Sequence, residues 1–571
     1  MSDLSILSPA PADESWRTAG HGGAPLLVIG AGPKAIALAV KAGVLRAVGF
    51  DVPEVVAVER DRTAANWRGG RGWTNGRQRL GTLPEKDLGF PYASSLWGDP
   101  SDPVIGELAQ RMSAYSWAGH LLDRGLYGRW IDRGRPQPTH GEWADYLEWA
   151  AERAGLRTVT GEVRRAELSD GGWTLTVEHG PADGAPAEGA QAAGAPYGRG
   201  PEADGPYEHG SSTDGPYEHG PGERRQDGPG AASRTSLVHG CGLVVSGPGP
   251  ATGVVNADGG RVLSTADFWR LAADGLPDRV RHVTVVGAGE TAGTIVRELA
   301  LGLGRQVTVV TPRATVYSRG ESPFENRYYS DPTGWTALTE DDRREFIRRT
   351  DRAVFSQEVQ HELTLAGNVS WESGRVVGTS CPDGGQVAVE LLYAGEHRTR
   401  HCDLVVDATG GDPLWFGEIL GPRARTALRA ALGGTVSRDR LERAIGTSLA
   451  VTGLPAPLHL PNLAALAQGP GFPNLSSLGL LSDRVLASYV PTAPDEPAQH
   501  AAARPSSAPA EPGLHATARP ASAPAEPGLH AAAVRPERPA APPFPPRAPE
   551  RRTRDPTHHH PRTRAGRRPG R

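Results

Sequence analysis

The chain reads as an α/β protein with two Rossmann-like dinucleotide-binding domains, the second inserted in the first. Two segments carry that reading: Pro25-Leu-Leu-Val-Ile-Gly30-Ala-Gly32-Pro-Lys-Ala35 and His282-Val-Thr-Val-Val-Gly287-Ala-Gly289-Glu-Thr-Ala292-Gly293. Each runs from a short apolar strand through G-x-G-x-x-A into an alanine-containing helical stretch. Glycines let the backbone approach a pyrophosphate, and the helix start offers unpaired N–H groups and the positive end of its dipole. A third observation is Leu404-Val-Val-Asp-Ala-Thr409-Gly410, an apolar strand ending in Thr-Gly, as where a chain meets a dinucleotide.

The second strand of each unit separates the two ligands. After the first fingerprint, a helical run from Lys34 to Val48 leads to the strand Glu54-Val-Val-Ala-Val-Glu59. A carboxylate at that strand end suits the free ribose hydroxyls of FAD. After the second fingerprint, the strand Gln306-Val-Thr-Val-Val-Thr311 ends without a carboxylate and Arg313 comes next but one, which favours the 2′-phosphate of NADPH. Gly30, Gly32, Ala35 and Glu59 are thus expected at FAD, with Thr409 and Gly410, and Gly287, Gly289, Ala292 and Arg313 at NADPH.

Taken in order, residues 24–178 form the first part of the FAD domain. Within it, residues 104–127 and 141–154 read as helices, the second with Trp143, Tyr146, Leu147 and Ala150 on one face. Residues 156–178 alternate as strands. Residues 179–235 are a Gly/Pro-rich insertion carrying a near-repeated octad, Ala203–Gly210 and Thr213–Gly220. Residues 236–274 return to the FAD sheet through Leu243-Val-Val-Ser-Gly247, residues 275–400 form the NADPH domain, and residues 401–490 complete the FAD domain. Residues 337–366 read as helices. From 491 to 571 the chain is rich in Ala, Pro and Arg. The insertion and the tail are too poor in aliphatic residues to offset chain entropy and are expected to be disordered.

Composition narrows the function classes. A net charge of −4 on 571 residues singles out no partner class, and the arginine-rich end reads as a solvated tail rather than a nucleic-acid or acidic-partner site, so no nucleic acid is expected. Three cysteines, Cys241, Cys381 and Cys402, form no C-x-x-C. That argues for a reducing, cytoplasmic setting and against a dithiol reductase. The acidic N-terminus is not expected to act as a signal peptide, and no membrane span is expected, since no apolar stretch reaches about 18 residues.

The loop after Glu59 adds Asn66-Trp67-Arg-Gly-Gly and Arg79-Leu-Gly-Thr-Leu-Pro-Glu-Lys86-Asp87-Leu-Gly-Phe-Pro-Tyr92. With Gly320-Glu-Ser-Pro-Phe-Glu-Asn326, Thr350-Asp351 and Leu480-Leu481-Ser482-Asp483, it resembles the flavin-dependent N-hydroxylating monooxygenases, the lysine and ornithine N-hydroxylases. Within them it is most similar to the mycobactin-type lysine N-oxygenases, with aspartate-oxidising, nitrosuccinate-forming enzymes as relatives. The resemblance spans about 24–178 and 236–490.

That resemblance implies a substrate site made by Lys86 on a carboxylate, Asn326 on the amino-acid end and Ser482 near the reacting amine. Trp67 would border the isoalloxazine, and Leu481 would lie at the flavin. Asp351 stands where ornithine members carry asparagine, and an ionised aspartate cannot donate. Arg327 departs likewise, and could hold a second carboxylate if the substrate were aspartate.

The implied reaction uses NADPH and O₂ to make a flavin hydroperoxide that a neutral amine attacks, so no acid–base side chain is expected to be catalytic. It also implies an amino-acid substrate, no metal and a possible homo-oligomer. Lysine and aspartate both stay open as substrates. A carbon- or sulfur-oxygenating relative would carry F-x-G-x-x-x-H before the second fingerprint, where this chain reads Ser264-Thr-Ala-Asp-Phe-Trp-Arg-Leu. A non-hydroxylating NADPH oxidase is the remaining alternative.

Overall fold

The computed structural model describes residues 21–490 apart from 70–72, 93–95, 181–233, 251–252, 254, 256–259 and 382–384. Nearly all of the Gly/Pro-rich insertion and the whole 491–571 tail, both expected to be disordered, lie outside the described residues.

The first sheet is parallel throughout, in the order Leu458–His459, Gly242–Val245, Leu26–Ile29, Val55–Glu59, Arg157–Thr160. Its central strands are buried apolar runs, as a sheet covered on both faces requires. The helix Pro33–Ala47 comes directly after the first of these strands, with Gly32 as its N-cap and proline in its first turn. Proline is favoured there because its missing N–H would have no helical partner. Helix His140–Ala154 starts on a capping box between Thr139 and Glu142 and stops at Gly155, which takes the left-handed conformation. The stretch read as helix over 104–127 is divided: Pro103–Ser113 ends and Ser116 caps a new helix, Trp117–Asp123. An antiparallel sheet of Glu162–Ser169, Gly172–His179 and Arg234–Gly240 leads back through Gly242–Val245 to the first sheet.

The second sheet, also parallel, has the order Val369–Ser373, Gln306–Thr311, His282–Val286, Leu404–Asp407, Val262–Ser264. This corrects two boundaries. Leu404–Asp407, expected to resume the FAD fold, pairs instead with His282–Val286, placing Asp407 opposite Val286. Val262–Ser264, expected with the FAD-domain return, is the edge strand beyond it. The first sheet is completed later, by Leu458–His459, and its helix Pro33–Ala47 packs against the terminal helix Leu478–Ala487. An apolar run ending in Thr-Gly fits either sheet, so only register decides between them.

Inside that helix pair lies a buried ion pair. Lys41 Nζ is 2.7 Å from Asp483 Oδ1, with the side chains 2% and 4% exposed. Trp97 Nε1 donates to the same oxygen at 2.7 Å.

Candidate active site

The carboxyl ends of the first sheet open on a cavity of about 390 Å³. Gly30 and Ser246 come just after two of its strands and Glu59 ends a third, so the cavity sits where ligands bind in doubly wound sheets. Gly30 has φ +96°, a conformation that disfavours side chains, and a Cβ there would lie 3.1 Å from Ser246 Oγ. Glu59 lines the cavity and accepts a 2.9 Å hydrogen bond from the Ala31 amide. Ala35 is fully buried, which lets helix and sheet approach closely.

The far wall comes from the loop after Glu59. Trp67 lines the cavity and meets the His140 ring edge-on at 4.9 Å. Gln78, also in the wall, is 4% exposed, and its Nε2 has no hydrogen-bond partner. Such an orphaned donor is costly unless a ligand acceptor meets it. The carbonyl-rich edge of a flavin is such an acceptor, and the glycine turn, carboxylate and aromatic wall fit the rest of FAD.

His140 and Gln78 carry no signal in the sequence, because isolated polar residues look the same in a core or a site. His140 Nδ1 shares a 2.8 Å hydrogen bond with Thr74 Oγ1, and burial pushes its pKa down from 6.5 to about 4. The folded chain therefore binds this proton less readily than the unfolded chain. Stability from neutral His140 is whole above pH 6.5 and is lost as the pH falls toward 4. Burial gives His120 the same sign. Thermal melting between these pH values should show a shallower acid limb in H140N; an identical limb would remove His140 as its source.

The second fingerprint makes the matching turn in the second sheet. Gly287 has φ +128°, and a Cβ there would lie 2.5 Å from the Ala408 carbonyl oxygen. Gly289 caps the helix Glu290–Arg297, and Ala292 is fully buried against the sheet. Arg313 stands just beyond Gln306–Thr311, its guanidinium donating to the Ala353 carbonyl and lying 5.7 Å from the Tyr317 ring centre. The strand pairing brings Ala408 and Thr409 beside this turn, Gly411 packs against the Pro248 carbonyl at the first cavity, and the Thr409 amide and hydroxyl both donate to Asp407 Oδ1. Glu290, Thr291 and Thr294, from the start of this second helix, line the first cavity. The two nucleotide turns therefore serve one space.

The expected substrate residues divide. Lys86 Nζ donates to Asn326 Oδ1 at 3.5 Å, although the two are 240 positions apart. Asn326 Nδ2 donates to the Glu321 carbonyl at 2.7 Å, which fixes the amide. Burial, aided by the Arg319 charge, lowers the Lys86 pKa. Arg319 itself is held by Glu321 and reaches the Gly81 carbonyl at 2.9 Å.

Asp351 ends the helix Glu340–Thr350, lies 3.3 Å from Arg352, and exerts its charge on Lys34. Arg327 is 76% exposed and its nearest carboxylate, Asp331, is one helical turn away on the same surface. Its side chain is turned to solvent, while the adjacent Asn326 reaches Lys86. Ser482 is fully buried and its hydroxyl donates to Leu478 one turn back, while Leu481 packs in the core. Both are interior positions of the helix Leu478–Ala487. The preceding segment, with Pro473 and Leu475, forms the cavity wall instead.

Fold and cavity together fit a flavoprotein with two dinucleotide-binding turns. A scan against protein-family models gives no match. The chain is 39% identical over 488 residues to the L-lysine N6-monooxygenase MbtG of Mycobacterium tuberculosis, covering 84% of this chain and 97% of that one. It is 42% identical over 467 residues to MbtG of Mycobacterium sp. strain MCS, covering 81% and 94%. Among solved structures, the lysine monooxygenase NbtG of Nocardia farcinica, noted for its NADPH-domain conformation, superposes with a TM-score of 0.63 at 41% identity, covering 81% of this chain and all of that one. The Kutzneria ornithine N-hydroxylase KtzI, at 18% identity and TM-score 0.57, shares the fold. The chain belongs to the L-lysine N6-monooxygenase family, a family of enzymes whose cofactors are FAD and NADPH.

Proposed function

We propose that this chain hydroxylates the ε-amine of free lysine, using NADPH and O₂, to give N6-hydroxylysine for a hydroxamate siderophore. The observation that carries this is the meeting of Lys86 and Asn326 across the two domains. Bound FAD, reduced by NADPH, supplies the activated oxygen; the side chains bind, orient and exclude water. Lys86 holds the substrate carboxylate. Asn326, locked by Glu321, presents its oxygen to the α-ammonium. Gly30, Gly32 and Glu59 hold FAD, Trp67 and Gln78 border its ring, and Gly287, Gly289 and Arg313 hold NADPH.

The ε-amine attacks only when neutral, and with a pKa of ~10.4 only about 0.04% of it is neutral at pH 7. Burial and the cations Lys86, Lys34 and Arg319 favour proton loss; Glu321 and Asp351 oppose it. The exposure of Arg327 weighs against aspartate, which needs a second carboxylate anchor.

The test gives flavin-loaded protein NADPH, air and equal amounts of lysine, ornithine and aspartate, and reads products by mass. N6-hydroxylysine is expected. An oxidised aspartate would move the enzyme to the other branch, and peroxide alone would make it an oxidase. K86A should raise the lysine KM about 10- to 100-fold, from loss of a charged hydrogen bond of about 1.5–3 kcal/mol, while NADPH still reduces the flavin. An unchanged KM would take Lys86 out of the site.

A further inference from the structure

Lys34 is a buried cation without an adjacent counter-ion. It sits in the first turn of the helix that begins after Gly32, is 9% exposed, and lines the flavin cavity. Its ammonium donates to two neutral acceptors, Asn462 Oδ1 and the Pro473 carbonyl, each at 2.8 Å. An ammonium has three donors, so one remains. Among the described residues no carboxylate comes within ion-pair distance; Asp351 acts on it only from further off. Lys41, two turns along the same helix, shows the alternative, with Asp483 in direct contact. An isolated buried charge is costly to a fold, and the chain keeps one at the cavity wall. Burial lowers its pKa to about 8, so it remains largely cationic at neutral pH.

Glu59 marks the ribose end of the cavity and Gly30 to Gly32 the pyrophosphate, which leaves the lining of Trp67, Gln78, Pro473 and Leu475 for the ring. The acceptors of Lys34, Asn462 and Pro473, lie in the wall contributed by the C-terminal part of the chain. Asn462 is itself tied to the Ser246 and Gly247 carbonyls, which fixes the ammonium in place. Hydride transfer adds two electrons and one proton to the neutral isoalloxazine, so the reduced ring carries one negative charge, and NADPH leaves as NADP⁺. We propose that Lys34 is the counter-cation of the reduced isoalloxazine ring, so that its charge favours reduced over oxidised flavin. This rests on FAD filling the cavity and not on which amine is hydroxylated.

The test compares wild type, K34M and K34R as flavin-loaded proteins, measuring midpoint potential by slow chemical reduction against a reference dye, without NADPH or lysine. K34M should hold reduced flavin at least about tenfold less favourably relative to oxidised flavin, a fall of about 30 mV for a two-electron couple. K34R should recover most of it. K34Q keeps an amide donor for Asn462 and Pro473 but removes the charge, so it carries the same test where K34M does not fold. An unchanged potential, or equal weakening of oxidised and reduced flavin, would overturn the proposal; equal weakening would place the charge at the pyrophosphate. Because no lysine is present, neither result depends on the hydroxylation reading.

Discussion

Replacing Asp483 by alanine is expected to cost the folded chain about 3–5 kcal/mol, the largest stability loss expected of any single side chain around the flavin cavity. Its carboxylate is 4% exposed and receives both Lys41 Nζ and Trp97 Nε1, each at 2.7 Å. Removing it leaves an ammonium and an indole N–H without partners in an apolar wall. The pair joins Pro33–Ala47, which starts at the flavin turn, to Leu478–Ala487, which comes after the segment lining the flavin cavity. Flavin retention should therefore fall together with stability. Thermal melting of the flavin-loaded protein should drop by about 5 °C. The double variant K41M/D483L removes both charges and should recover most of the loss, because a buried pair breaks roughly even against apolar side chains of similar size. If D483A melts like wild type, or the double variant is as unstable as the single, the pair is not what clamps the helices.

The contrast between this pair and the flavin turns shows what a sequence can carry. The turns are legible because their physics is local: strand, glycine turn and helix occupy a dozen consecutive residues, and Gly30, Gly32, Gly287 and Gly289 all fall where the spacing puts them. Lys86 and Asn326 come within hydrogen-bond distance although they are 240 positions apart, a contact that no local pattern records. Register between distant strands is not legible. Leu404–Asp407 is equally apolar for either sheet, so pattern alone assigns it to the first although it pairs in the second. Direction on a helix is not legible either. Arg327 comes immediately after Asn326, and adjacent helical positions point about 100° apart, so one faces Lys86 and the other faces water. Ser482 fits a family pattern, yet its hydroxyl is spent within its own helix. His140, Gln78 and Lys34 become site residues only through the cavity they share, a property that no local pattern records.

Substituting alanine for Gly287 should slow reduction of the flavin by NADPH about 100-fold while leaving FAD bound. The new Cβ would stand 2.5 Å from the Ala408 carbonyl oxygen, and the φ of +128° is one that alanine rarely adopts. The turn must shift, and it is backbone on both sides, so no flexible side chain can yield. A displacement of about 1 Å in a positioning element can cost 10²-fold in rate. The first turn belongs to a separate sheet and keeps its own glycines, which is why flavin content should survive. G30A tests the reverse: its Cβ would meet Ser246 Oγ at 3.1 Å with φ +96°, and flavin should be lost first. Anaerobic stopped-flow reduction, with flavin content read on the same samples, separates the two. If G287A is reduced by NADPH at the wild-type rate, the second turn does not hold the nicotinamide nucleotide. If it loses FAD as G30A does, the two sheets do not divide the cofactors between them. Because Glu290, Thr291 and Thr294 continue from Gly287 into the flavin cavity wall, a shift there also moves the surface against which hydride is delivered. The expected defect is therefore in the rate of reduction at saturating NADPH as well as in the KM for it.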